Sequence, residues 1–191
     1  MKKAWLVLFS LMLLTQLVHA QCKPSINETD PFDSVHTVAG KIINIGDLVP
    51  SKFETVDGPK LIEEAKLLFS YSEKDSIRSF FLIVAVQEWE YQRVSNDFNV
   101  LLLLDDGQVI ELMNFSDQGT FDASTNMRLY QHTCLVPMDL VFALTYLKLD
   151  KIRINYRDSK RTLTLKPLQQ EEFRKTIRCV GEASGLLPVI P

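Results

Sequence analysis

Acid–base or nucleophilic chemistry would have to come from a small set of residues in this chain. Beyond the first twenty residues the histidines are His36 and His132. Side chains two apart on a strand share a face, so His132 and Cys134 could form a nucleophile–base pair. We interpret Cys134 instead as a small core residue, because it lies in a short apolar run. A hydrolase-like enzyme, the alternative to a non-catalytic protein, would use Asp30, Asp33, His36 or His132.

The sequence holds none of the common catalytic or cofactor-binding motifs. It has no G-x-S-x-G pattern, no glycine-rich phosphate loop and no cysteine/histidine spacing typical of a metal site. Asp105 and Asp106 are adjacent and would point to opposite faces of a strand, so we interpret them as turn residues. Asp117, Asp122 and Asn126 carry oxygen ligands that suit Ca²⁺, but their spacing matches no EF-hand loop. We therefore predict no metal and no cofactor, and we favour a non-catalytic protein.

Two aromatic residues form the first candidate binding surface. Trp89 and Tyr91 alternate with Glu88 and Glu90 after an apolar run. Both rings would therefore lie on one face, at the point where a strand leaves the core. They could stack against a ligand, or they could cap the edge of the core.

The second candidate surface is basic. Over residues 152–166 apolar and polar side chains alternate with a clear period of two, which predicts a hairpin with one solvent face. That face would carry Arg153, Arg157, Arg161 and Lys166. It could bind an acidic partner or an anionic glycan, or it could be a solvated face that protects an edge strand. The ligand-binding candidates on the two surfaces are Trp89, Tyr91, Arg153 and Arg157.

The N-terminus predicts export. Two lysines precede an almost unbroken apolar run that ends in Val18-His19-Ala20, which is typical of a secretory signal peptide over residues 1–20. The apolar run is shorter than the ~20 residues of a membrane span, so we expect no transmembrane segment after cleavage. The mature protein would be periplasmic or extracellular. Cys22 raises the alternative of a lipoprotein, but the residue before it is a glutamine, and we favour ordinary cleavage.

The composition indicates one globular domain. The chain is 46% hydrophobic and 24% charged, which suits a single sizeable core. We assign residues 21–181 to one β-rich domain and residues 182–191 to a C-terminal tail. Loss of Lys2 and Lys3 with the signal peptide changes the formal charge from −3 to −5. An acidic exported protein is a poor candidate for nucleic-acid binding, so the expected partner is an envelope protein or a glycan.

The three cysteines allow one disulfide in an oxidising compartment. Three pairings are open from the sequence alone. Cys22 and Cys179 lie near the two ends of the mature chain, where a bond would restrain both termini. They are the disulfide candidate.

Residues 99–113 are predicted to form a hairpin around Asp106-Gly107, a favoured two-residue turn. Because both of its strands are apolar, we expect it in the middle of a sheet. Residues 59–72 fit either a helix or a strand by their periodicity. We favour a strand from about Ala65.

Two short helices are expected. Pro137 precedes residues 138–149 and favours a helix start there. Residues 169–180 place Phe173, Ile177 and Val180 on one face of a second, C-terminal helix. The predicted fold is thus mainly β (α+β), an antiparallel sheet or sandwich of about seven to nine strands with two short helices.

The ends of the mature chain resemble a group of exported bacterial proteins without an assigned activity. Asp30-Pro31-Phe32-Asp33 follows Cys22, and residues 147–156, LKLDKIRINY, precede a helix that ends in Ile177-Arg178-Cys179-Val180. The D-x-F-T-G of that group is present here only in part, since Asp33 and Ser34 follow the phenylalanine. The resemblance implies a small antiparallel β fold with a terminal helix, and it supplies no catalytic residues.

Overall fold

The computed structural model describes residues 22–55 and 58–187. The predicted signal peptide, residues 1–20, and residues 188–191 of the predicted tail lie outside these ranges. The described strands are β1 (Ile26–Thr29), β2 (His36–Ala39), β3 (Ile43–Thr55), β4 (Gly58–Lys74), β5 (Ile77–Glu88), β6 (Asp97–Leu104), β7 (Val109–Asn114), β8 (Thr120–Asp122), β9 (Met127–Val136), β10 (Leu149–Asn155) and β11 (Lys160–Thr164). The helices are α1 (Met138–Leu144) and α2 (Pro167–Ala183).

These strands form one antiparallel sheet of 11 strands. Its order is β1-β2-β4-β5-β9-β7-β6-β10-β11, with β3 paired to β4 and β8 paired to β9. The predicted class, a mainly antiparallel β fold with two helices of which one is C-terminal, is confirmed. The predicted count of about seven to nine strands is wrong, because strands as short as β1 and β8 hold too few residues to show a period in the sequence.

The sheet curls until β11 comes close to β3, at the edge of the sheet. A salt bridge of 2.8 Å between Lys166 Nζ and Asp47 Oδ1 crosses this seam. Helix α2 packs on the concave side, where the Phe173 ring meets Phe69 edge-on with 6.3 Å between the ring centroids. The concave side is therefore filled by the core, and the site described below lies at its open end.

Gly46 bends β3 at a bulge. The pairing of β3 with β4 shifts register between Ile45 and Leu48, and Gly46 has a φ of 75°, which glycine adopts at little cost. The Glu64 carboxylate occupies the space that a Cβ at this position would need. Glu64 Oε2 accepts a hydrogen bond of 3.1 Å from the backbone N–H of Asp47. The bulge thus holds Glu64 under β3.

The predicted central hairpin is β6 and β7, and both strands lie in the interior of the sheet as expected. Its turn spans residues 105–108 and is longer than the predicted two-residue turn. Gly107 takes the positive φ, and its N–H donates to the carbonyl of Leu104. Asp105 Oδ1 accepts the N–H of Lys148 at 3.0 Å. Asp105 therefore fixes the approach to β10, in agreement with its interpretation as a turn residue.

Residues 59–72 lie in β4. The predicted strand from about Ala65 is confirmed, and the strand begins earlier than predicted, at Gly58. Ala65, Leu67, Phe69 and Tyr71 are its buried, core-facing residues, and they follow the period of two that a half-buried strand shows. The next strand, β5, continues this pattern from Phe80 to Glu88.

Both helices differ in length from their predictions. Helix α1 ends at Leu144, earlier than expected, whereas α2 extends through Gly181 to Ala183. Gly181 lies inside the helix, and the Leu187 side chain folds back into the space beside it. Among the described residues, neither helix combines the length and the apolar character that a membrane crossing requires.

A disulfide joins Cys22 to Cys179 on α2, with 5.4 Å between the Cα atoms. The predicted pairing is confirmed. It ties the start of the described chain to the last helix, while Cys134 is a free, buried cysteine. A thiol in a disulfide cannot also carry a lipid, so this pairing and lipidation of Cys22 are mutually exclusive.

Candidate functional site

A cleft of about 510 Å³ opens at one end of the curled sheet, between β3 and the β10–β11 hairpin. We call it the Trp89 cleft. Strand β3 contributes Val49 and Pro50. The remaining lining comes from the end of β5 and the segment after it, and from the β10–β11 connection and the start of β11. Those lining residues are Glu88, Trp89, Glu90, Gln92, Tyr156, Ser159, Lys160 and Arg161.

The floor of the cleft is a paired, mostly buried carboxylate and guanidinium. Arg161 Nε donates to Glu88 Oε1 and Arg161 Nη2 donates to Glu88 Oε2, both at 3.1 Å. Such a two-point contact fixes the geometry as well as the charge. Arg161 Nη1 also lies 3.7 Å from Glu64 Oε1. Arg161 thereby joins β11 to β5 and β4 across the open end of the sheet.

Behind this floor runs a chain of buried polar side chains. The Tyr156 hydroxyl donates to Glu88 Oε1 at 3.1 Å, and it lies 3.3 Å from His132 Nε2. The Asn114 amide donates to His132 Nδ1 at 3.1 Å and to Asn99 Oδ1 at 3.0 Å. These directions of donation require a neutral His132 that carries its proton on Nε2.

Burial sets the protonation states of the side chains in this hydrogen-bonded row. Desolvation lowers the pKa of His132 to about 4, because a charged imidazole would lose its hydration. Burial likewise raises the pKa of the Cys134 thiol to about 12, and a thiol that stays protonated is a weak nucleophile. Cys134 Sγ faces Asn114 Oδ1 at 3.9 Å. Among the described residues His132 makes its hydrogen bonds with Asn114 and Tyr156, and these bonds hold the three side chains in place behind the cleft.

The rim of the cleft, residues 89–96, is pinned by hydrogen bonds. Lys52 Nζ donates to Trp89 O at 3.1 Å and to Glu90 Oε1 at 2.6 Å. The N–H of Gln92 donates to the Tyr130 hydroxyl at 2.7 Å. The hydroxyl of Ser159, on the β10–β11 hairpin, donates to Gln92 Oε1 at 3.1 Å. The rim is thus held from three sides of the fold before any ligand arrives.

The structure separates the four residues that the sequence analysis named as ligand-binding candidates. Trp89 lines the cleft with half of its surface exposed, at 50%. Tyr91 is 62% exposed and lies against Arg128, with 5.6 Å from the guanidinium to the ring centroid. Arg153 donates to Thr162 Oγ1 on the outer face of the hairpin. Arg157 lines a second pocket that adjoins the cleft.

The residues named for a hydrolase-like enzyme do not meet at one site. Asp30 and Asp33 accept the N–H groups of Phe32 and Val35 in an exposed turn. His36 Nε2 lies 2.9 Å from the amide oxygen of Asn27, also exposed. In the sheet, β4 and β5 separate the strand of His36 from the strand of His132.

The acidic residues considered for Ca²⁺ are engaged with the backbone. Asp117 accepts the N–H groups of Gly119 and Gln131, and Asp122 accepts the N–H of Ser124. Within residues 22–55 and 58–187, no group of three or more histidine, cysteine or acidic side chains is arranged to hold a metal ion.

The floor of the cleft was not predicted from the sequence, although the sequence holds a signal for it. Glu88 continues the buried row of Val84 and Val86, and Arg161 lies two residues before the buried Leu163. Side chains two apart on a strand share a face, so both charges belong to core-facing rows. The assignment of Arg161 to the basic solvent face is therefore wrong. A charge on a core-facing row indicates a buried partner.

Comparisons of the chain with protein-family models, with curated proteins and with solved structures found no match. The geometry of the cleft is therefore the basis for a functional conclusion.

Proposed function

We propose that the protein is a non-catalytic binding module of the cell envelope that holds an oligosaccharide in the Trp89 cleft. One observation carries this proposal, namely that a half-exposed indole stands at the mouth of a cleft otherwise lined mainly by hydrogen-bonding side chains. A sugar ring has apolar C–H faces and polar hydroxyl edges. It therefore suits a flat aromatic surface that lies beside donors and acceptors.

The polar groups of the cleft support the proposal because many retain capacity for a ligand. The Lys160 ammonium has no hydrogen-bond or ion-pair partner among the described residues, and Glu90 is engaged at one of its carboxylate oxygens. The Ser159 hydroxyl is hydrogen-bonded to the Gln92 side chain, and each of the two side chains can make further hydrogen bonds. Glu90 and Gln92 sit on the pinned rim, and Ser159 is bonded to Gln92, so ordering these three side chains on binding would cost little.

Export is supported by two features of different kinds. The sequence of residues 1–20 fits a signal peptide, and the Cys22–Cys179 disulfide is typical of an oxidising compartment. A periplasmic or extracellular position would place the cleft among the glycans of the cell envelope.

The signal peptide contains one of the two tryptophans of the chain, so Trp89 is the single tryptophan of the mature protein. Its fluorescence therefore reports on the cleft directly. The mature protein would be titrated with cellohexaose, chitohexaose, hexagalacturonate and methyl-esterified hexagalacturonate. We expect a saturable change in emission with at least one of them.

Calorimetry with the saccharide that responds would compare Trp89→Ala with Tyr91→Ala. Both variants remove an exposed ring, but Tyr91 lies outside the lining of the cleft. The proposal expects Trp89→Ala to lose binding and Tyr91→Ala to keep it. No response to any of the four saccharides, or full binding by Trp89→Ala, would overturn the proposal.

A further inference from the structure

We infer that the ligand is an acidic glycan whose carboxylate is bound by Arg93 and Arg157 in a second pocket beside the Trp89 cleft; this inference rests on the proposed function. The second pocket, here called the arginine pocket, has a volume of about 650 Å³. Tyr156 lines both cavities. An extended ligand could therefore lie in both at once.

Arg93 and Arg157 differ from every other arginine of the chain. Neither guanidinium has a hydrogen-bond, ion-pair or ring partner within the described ranges, and both lie in the same pocket. Each of the remaining arginines donates a hydrogen bond. The pairs are Arg78 to Glu73, Arg128 to Gly119 O, Arg153 to Thr162 Oγ1, Arg161 to Glu88, Arg174 to Glu171 and Arg178 to Thr145 O. A guanidinium presents a planar fork of donors that matches a carboxylate. Two free guanidiniums in one pocket thus point to an anionic ligand.

The local charge of the arginine pocket is positive although the protein as a whole is acidic. Its lining includes one carboxylate, Asp97, and Asp97 Oδ1 accepts the N–H of Phe98 at 2.8 Å. Two cations against one anion leave the pocket with a net positive charge. Because the mature chain carries a formal charge of −5, attraction of an anion depends on this pocket and does not follow from the overall charge.

Arg93 lies on the pinned rim, so its backbone is already ordered before a ligand binds. Asn99 Nδ2 donates to Ser95 O at 3.3 Å, and the N–H of Ser116 donates to Asn96 Oδ1 at 2.6 Å. These bonds hold the part of the rim that follows Arg93. Arg157 stands in the hairpin between β10 and β11, opposite the rim.

An acidic glycan fits this pair of cavities better than an acidic peptide does. The arginine pocket also offers the side chains of Ser95, Asn99 and Asn155 as partners for hydroxyl groups, and the ring of Phe98 is exposed. The ligand would thus meet an aromatic face and polar groups in each cavity, with the carboxylate recognised in one of them. Binding of polyglutamate in preference to a saccharide is an outcome that would contradict this choice.

The test uses hexagalacturonate and its methyl ester, which share one backbone and differ in charge. Calorimetry on the mature wild-type protein should show that the acid binds at least about tenfold more tightly than the ester. The double variant Arg93→Gln/Arg157→Gln should bind both oligomers alike. Arg153→Gln removes an exposed arginine outside both cavities and should keep the preference of the wild type.

A salt titration supplies a second readout that needs no variant. Added NaCl screens charges, so it should weaken binding of the acid while binding of the ester stays nearly constant. Equal binding of acid and ester by the wild type would overturn the inference and leave the proposed function standing. A preference for the acid that survives in the double variant would also overturn it. If neither oligomer nor any other saccharide binds, the proposed function fails as well.

Discussion

Acidification from pH 7.5 to pH 5 should destabilise the protein through His132. The folded chain holds His132 fully buried and neutral, with its pKa lowered to about 4 by desolvation. In the unfolded chain an imidazole has its ordinary pKa of about 6.5. Between these two values the unfolded state binds the extra proton, so stability is present above pH 6.5 and is lost as the pH falls toward 4.

The size of the effect follows from the same two values. At pH 5 an unfolded imidazole is almost fully protonated, whereas the folded one is protonated in about a tenth of the molecules. Linkage then gives a loss of about 2 kcal/mol in the free energy of unfolding between pH 7.5 and pH 5. Protonation of His132 would also place an N–H against the Asn114 amide that now donates to it. That contact is a further reason for the folded state to keep His132 neutral.

The assay is urea denaturation at both pH values for the wild type and for His132→Gln, which is neutral throughout. The wild type should lose about 2 kcal/mol more than the variant. Hydrogen bonds from neighbouring side chains lower the pKa of Glu73, Asp122 and Glu171. These groups are present in both proteins, so the comparison subtracts their contribution. Equal losses in the two proteins would refute the reasoning, as would an NMR titration that places His132 near its ordinary pKa.

Three further changes test the scaffold. Replacing both Cys22 and Cys179 by serine should lower the free energy of unfolding by roughly 2–5 kcal/mol in urea denaturation, because the bond closes a loop with a sequence separation of 157. No loss would show that the bond does not restrain the chain. Tyr156→Phe should cost about 1–3 kcal/mol by the same assay, since it leaves buried partners unpaired, and an unchanged midpoint would contradict the network. Gly46→Ala should lower the thermal midpoint more than Gly107→Ala. Both glycines have a positive φ, but only a Cβ at position 46 would be forced onto a carboxylate. Equal shifts in the two variants would refute this distinction.

The sheet and its central hairpin could be predicted because each strand carries its own signal. The alternation in β4, β5 and β10 reflects local burial, and a turn sequence such as Asp106-Gly107 acts over a few residues. The disulfide candidate also came from a simple argument about the two chain ends. These features need no knowledge of how distant strands meet.

The cleft could not be predicted in the same way, because its parts come together only when the sheet curls. Glu88 and Arg161 are 73 residues apart, and the sequence around one residue does not indicate that the other is its partner. The face on which each charge lies was readable from the period of two, since Glu88 follows Val86 and Arg161 precedes Leu163 by two. The pairing of Glu88 with Arg161 depends on how the sheet curls to bring β11 close to β3. That curl is a property of the whole sheet.

The location of the ligand is the central claim, and an NMR shift map tests it most directly. The mature protein labelled with ¹⁵N would be titrated with the hexasaccharide that gives the largest fluorescence response. The account predicts that the largest shifts fall on the Trp89 indole N–H and on the backbone of Gln92, Ser159 and Lys160. Largest shifts on the outer face of the sheet, for example at Leu135, with the Trp89 indole unmoved, would contradict it.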